Sequence, residues 1–231
     1  MMVDWKKRLF LQRFKITSMS NSTGLNNFKK QFQENKQLKN ITIAVGVVIL
    51  LAVGYILYKQ LVWGPDNEKS KSSYYKGLNL AAKDSTDAAI AELEGVVKKY
   101  DGKVGGEIAE FTLARQYMTK GNFKKALTLL EGVDLNDTYG PIYTLGLQGD
   151  CQSELGKLSD ALSLYEEAAK LNENENTSPM YMFKAALVAE ELKDFEKATA
   201  LYEGIRDNYT TFAQQKAIDK YIARVSNKKV K

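Results

Sequence analysis

A block of about 34 residues recurs four times in the C-terminal two thirds of the chain. No other feature restricts the possible folds as much. The clearest copy begins at Glu107 and carries Leu113, Ala114, Tyr117, Gly121-Asn122-Phe123, Ala126, Leu130 and Val133. A second begins at Ile142, with Gly149, Gly156, Leu158, Ala161, Tyr165 and Ala168 in the same slots. A third begins at Pro179, with Ala185, Ala186, Ala189, Asp194, Phe195, Ala198, Tyr202 and Ile205. A weaker copy begins near Ser70, with Gly77, Leu80, Ala89, Leu93 and Val96. Successive starts lie 37, 35 and 37 residues apart, a period that suits one helical hairpin per copy.

Counting each start as slot one, slot eight is Gly77, Ala114, Gly149 and Ala186, and slot twenty is Ala89, Ala126, Ala161 and Ala198. Small residues at two fixed slots let the two helices of a hairpin approach closely, where a larger side chain would hold the backbones apart. Slots twenty-four and twenty-seven (Leu93, Leu130, Tyr165, Tyr202; Val96, Val133, Ala168, Ile205) are larger in all but Ala168 and are expected to fill the space to the next hairpin. This pattern resembles the tetratricopeptide repeat, a helix–turn–helix unit. The resemblance implies an all-α solenoid with four repeats over residues 70–210. Thr211 to Val225 carries one more apolar stripe (Phe212, Ala213, Ala217, Ile218, Tyr221, Ile222, Val225), so residues 211–231 are expected to form a capping helix and a short basic tail. Pro141 and Pro179 fit the first turns of their helices, with Ser178 as the expected N-cap.

Ahead of the repeats, Ile41 to Tyr58 is an uncharged run of 18 residues. As a helix it would extend about 27 Å at about 1.5 Å per residue, close to the thickness of a bilayer's hydrocarbon core. Eleven of its residues are Ile, Leu or Val, which favours insertion by roughly 3–7 kcal/mol. Tyr55, Tyr58 and Trp63 gather at one end, as interfacial anchors do. Residues 41–63 are therefore expected to form a single transmembrane helix, an uncleaved signal anchor. Gly64-Pro65-Asp66-Asn67 is expected to break that helix and residues 64–69 to act as a linker. Residues 1–40 read as a basic cytoplasmic tail, with Met19 as an alternative start. Within the tail, Leu25, Phe28 and Phe32 are at helical spacing, consistent either with a short amphipathic helix on the membrane surface or with a frayed tail.

The charge splits along the same boundary. Residues 1–63 hold 10 Lys+Arg against 2 Asp+Glu, and residues 64–231 hold 23 against 26. The repeat part is slightly acidic, which argues against nucleic acid as its partner. Within twenty residues of each end of the apolar run the basic count is even, but the whole short tail carries nine basic residues, so the N-terminus is expected in the cytoplasm and the repeats on the far side. There is no histidine, and Cys151 is alone, so His-based catalysis and internal disulfides are excluded. No carboxylate pair, phosphate loop or metal cluster stands out; neither an enzyme nor a cofactor is expected.

The resemblance also implies a peptide-binding groove lined by the first helix of each repeat. The family's groove slots fall on Lys71, Tyr74 and Leu78; on Ile108, Phe111, Arg115 and Met118; on Tyr143, Asp150 and Ser153; and on Met180, Phe183, Leu187 and Glu190. These side chains either meet a partner or pack on neighbouring repeats. The order of elements, with signatures such as Ala89-Ile90-Ala91-Glu92-Leu93 and Gly121-Asn122-Phe123-Lys124-Lys125-Ala126-Leu127, resembles the YfgM-type ancillary subunit of the bacterial SecYEG translocon. That resemblance implies an inner-membrane protein whose periplasmic repeats work with chaperones on emerging, unfolded clients. Two alternatives are a membrane-tethered scaffold binding one folded partner in an envelope complex and a cytosol-facing adaptor in the opposite orientation.

Overall fold

The computed structural model describes residues 24, 26–27, 29–30, 32–33 and 35–229. Most of the expected basic tail lies outside them, Leu25 and Phe28 included, while Phe32 is helical. The described residues contain helices and no strand. The chain divides into two compact units, residues 1–63 and 64–231.

The first unit holds α1 (Lys36–Tyr58), followed by a π-helical turn over Lys59–Trp63. From Ile41 to Tyr58 the apolar side chains of α1 are exposed, and the helix is long and apolar enough to cross a membrane. Lys59 folds back over the Trp63 ring at 3.7 Å, and Tyr55 lies within 5.9 Å of the same ammonium. A cation held over aromatic faces at the end of an apolar helix keeps its charge solvated while its stem covers apolar surface.

The second unit starts differently from the expectation. Residues 64–69 are not a linker but the opening of α2 (Gly64–Ser73). Pro65 is accommodated because it stands second in that helix, directly after the π-turn, where a missing amide proton does least harm. Then follow α3 (Tyr75–Ala82), α4 (Thr86–Lys99), α5 (Val104–Thr119), α6 (Phe123–Gly132), α7 (Gly140–Glu154), α8 (Leu158–Lys170), α9 (Thr177–Glu191) and α10 (Phe195–Asn208). They pair as four antiparallel hairpins in the expected register, and each hairpin packs on the next.

That register is repeated in the backbone. Slot fifteen of every copy (Asp84, Gly121, Gly156 and Lys193) has positive φ, between 55° and 75°. The left-handed residue reverses the chain between paired helices and closes each first helix with a short turn. All four slot-twenty alanines are fully buried. Slot eight faces slot twenty-four of the same hairpin. A Cβ added to Gly77 would stand 2.5 Å from Leu93, and one added to Gly149 would stand 2.6 Å from the Tyr165 ring. Slot twenty-four thus packs within its own repeat, and Tyr165 also reaches the next one by stacking on Tyr181 at 6.3 Å between centroids.

Two further departures concern helix ends. Ser178 is inside α9 rather than capping it. The Asn174 side chain accepts from the amides of Asn176 and Thr177, and the Ser178 hydroxyl accepts from the Asn174 amide. The cap beyond the last repeat is two helices, α11 (Thr210–Lys216) and α12 (Ile218–Lys229), divided at left-handed Ala217. The break lets Phe212 and Ala213 pack from one helix while Ile218 and Val225 are buried from the other.

Gly149→Leu is expected to destabilise the repeat unit by roughly 1–3 kcal/mol through overpacking against Tyr165. Denaturant unfolding checks this, and an unchanged midpoint would mean the helices do not meet there.

Candidate functional site

The expected groove residues divide by slot, and the division follows the rotation of the first helices. Slot five turns inward. Tyr74 and Phe111 pack against the core shared by the first two hairpins. Phe183 meets Tyr202, Phe212 and Tyr221 at centroid distances of 5.9, 6.3 and 4.9 Å, the last two edge-on. Its third-repeat counterpart, Gly146, is buried against the Tyr181 ring, where a Cβ would stand 2.1 Å away.

Slot nine turns outward. Leu78 is 36% exposed and Leu187 39%, and Arg115 is exposed between them in chain order. Slot two is mixed, with Lys71 and Tyr143 exposed and Ile108 and Met180 half-buried. Tyr143 is 42% exposed and tilts against Tyr139, 6.5 Å away. Met118, at slot twelve, packs on the first core; Ser153, at the same slot, is half-buried. The expected groove residues therefore offer solvent a discontinuous apolar row of Leu78, Tyr143 and Leu187 with two cations, Lys71 and Arg115. Aromatic bulk at slot five supports it from beneath.

Two carboxylates on this face are already engaged. Asp150 accepts from the Tyr165 hydroxyl and from Lys184 Nζ, each at 2.6 Å. This ties α7 to α8 and α9. Burial, and then the neighbouring acid, push the Tyr165 hydroxyl far above its ordinary pKa, so it remains a donor. Glu190, almost fully buried, accepts from Tyr202 at 2.9 Å and Lys228 at 3.1 Å and pairs with Arg224. It thereby fastens α12 to α9 and α10. Both phenols are slot-twenty-four residues bonding to an acid on their own first helix, so the device recurs. The sequence hinted at it only through two tyrosines at one slot.

Burial alone would raise the Glu190 carboxyl's pKa, but hydrogen bonds from Arg224, Tyr202 and Lys228 outweigh it and hold it below the ordinary range. The Cys151 thiol, buried and close to Asp150 and Glu154, is pushed up to about 11 and acts as packing. Among the described residues no group of His, Cys, Asp or Glu could hold a metal ion.

Sequence reasoning missed Asn67 and Ser70. Both are buried on α2, and they accept the first amides of α5: Val104 N–H to Asn67 Oδ1 at 2.9 Å and Gly105 N–H to Ser70 Oγ at 3.0 Å. A helix start is thus capped from a neighbouring helix. The legible signal was the pair Gly105-Gly106. A Cβ at Gly105 would stand 1.8 Å from the Ser70 carbonyl oxygen, so only glycine admits α2 there.

Comparison with known proteins gives a consistent picture. A family model described as a tetratricopeptide repeat-like domain matches residues 29–145, running through α1 and the first two hairpins, and a tetratricopeptide repeat model matches residues 181–211. Among solved structures, a Podosopora anserina protein of nearly identical TPR-like repeats, named as a kinesin light chain, aligns with a TM-score of 0.55. The identity is 15%, over 70% of this chain and 87% of that one. A point variant of the same protein aligns at 0.52, also at 15% identity, over 70% and 94%. At such identity the likeness concerns the fold alone. No curated protein matches the chain.

Glu190→Gln is expected to cost roughly 1–3 kcal/mol at pH 7, because buried charge-assisted hydrogen bonds are lost. The carboxylate's contribution is present above the ordinary glutamate pKa of 4.5 and disappears as pH falls through its depressed folded value. Urea unfolding at pH 7 and at about pH 3.5 should show the gap between parent and variant closing in acid.

Proposed function

Because the chain belongs to the tetratricopeptide repeat-like domain family, we propose that it is a membrane-anchored adaptor that presents a protein-binding repeat unit at the periplasmic face of a bacterial inner membrane. Tetratricopeptide repeats indicate a protein-interaction module, and proteins built of them are typically non-enzymatic scaffolds. The supporting observation is the row at slots two and nine. Leu78, Tyr143 and Leu187 stay exposed on the first helices of the first, third and fourth repeats although the neighbouring slot-five positions are packed. Apolar side chains held apart on rigid helices suit alternate residues of an extended or amphipathic segment.

In this reading α1 is the anchor, the basic residues before it stay in the cytoplasm, and the repeat unit works beside the Sec translocon, assisting emerging envelope or secreted proteins together with periplasmic chaperones. The order of basic segment, apolar helix and repeats supports it, as does a single family match that spans the apolar helix and two hairpins together. Arg115 supports a second reading, a scaffold for one folded envelope partner, since a cation on a rigid helix beside apolar side chains fits a carboxylate fixed on a rigid surface.

Photo-crosslinkers placed at Tyr143 and Leu187 in the membrane-embedded protein, with protease treatment of spheroplasts, test both parts. The expected result is digestion of residues 64–231 in spheroplasts and a ladder of crosslinked secretory chains plus a translocon subunit. Protection of the repeat unit in spheroplasts would overturn the orientation. A single stoichiometric crosslinked partner would replace client binding with the scaffold reading.

A further inference from the structure

The four hairpins also form a recess that the first-helix face does not use. It lies between the second helices of the third and fourth repeats, α8 and α10, and is closed at one end by residues 171–176, which join α8 to α9. Its volume is about 750 Å³, within the range that holds a peptide side chain with its flanking backbone. Met182, Leu201 and Tyr209 supply apolar lining. Met182 comes two residues after Met180 and five before Leu187, so at about 100° per residue it faces some 140–160° away from both. The recess and the exposed row are on different sides of α9.

The charged lining is one-sided. Glu166, Glu173 and Glu175 stand against Lys170 alone. Glu166 is paired with Lys197 at 2.6 Å, while Glu173 and Glu175 have no ion-pair partner among the described residues. These two flank Asn174, whose side chain accepts two backbone amides and donates to the Asn172 carbonyl and the Thr177 hydroxyl. The connecting segment is thus fixed by its own hydrogen bonds, so the backbone that carries the two exposed carboxylates is in place at the mouth before any ligand arrives. Pre-ordering of this kind lowers the entropic cost of binding.

We infer that this recess is a second protein-binding site, which takes an extended basic peptide segment: one aliphatic or aromatic side chain enters against Met182 and Leu201, and flanking lysines or arginines meet Glu173 and Glu175. A polyanion is repelled by the same carboxylates, and a purely apolar segment leaves them without partners. The site goes beyond the first-helix face and does not depend on that face being a groove.

The test uses the full chain in a nanodisc of zwitterionic lipid and a fluorescein-labelled peptide of one leucine flanked by lysines in a glycine–serine background. Saturable binding by fluorescence anisotropy is expected. It should weaken about five-fold in Glu173→Gln/Glu175→Gln, about ten-fold or more when the leucine is replaced by serine, and not at all in Leu187→Asp. Both carboxylates are exposed, so the double variant should melt as the parent does. Absence of saturable binding, or equal binding to parent and double variant, overturns the inference. Loss of binding in Leu187→Asp alone would place the peptide on the first-helix face, leaving the earlier reading intact and removing this one.

Discussion

Everything in the repeat unit depends on how closely paired helices approach at slots eight and twenty. Alanine at slot twenty, fully buried in all four copies, sets that distance. Glycine or alanine at slot eight then leaves room for a large slot-twenty-four side chain to lie across the gap. Gly149 faces a tyrosine and Gly77 a leucine, each too close to admit a Cβ. Because each hairpin cannot cover its own apolar face, the four must stack, and stacking brings the first helices side by side. The exposed row on those helices is therefore a consequence of core packing.

Polar groups complete what packing begins. A stack of hairpins leaves helix ends and terminal faces without partners, and in this chain side chains supply them. Asn67 and Ser70 cap α5 from outside, Asp150 joins three helices, and Glu190 secures the last one. The polar outer side of α12, with exposed Lys220 and Asn227, then ends the solenoid without inviting another repeat.

Much of this was legible in the sequence because it depends on residue size at a fixed period. The hairpin count, the register and the apolar helix were all readable on that basis. Rotation was harder to read. Phe111, Tyr143 and Phe183 share helical spacing and aromatic character, and only the packed structure separates the outward Tyr143 from the inward phenylalanines. Positive φ at slot fifteen is advertised by Gly121 and Gly156 but hidden by Asp84 and Lys193, where the turn overrides the side chain's preference. The composition of α2 hid it completely. Pro65 beside Gly64 reads as a breaker, and Asn67 and Ser70 read as solvent-facing until the backbone of Gly105 is placed against them.

Amide hydrogen exchange over residues 64–229 in the membrane-embedded protein tests the close approach of paired helices most directly. The slowest amides should cluster around Ala114, Gly149 and Ala186, with Asn67–Ser73 protected alongside them as part of the same unit. Uniformly fast exchange at those small-residue positions, with lasting protection only in the apolar helix Lys36–Tyr58, would contradict the account.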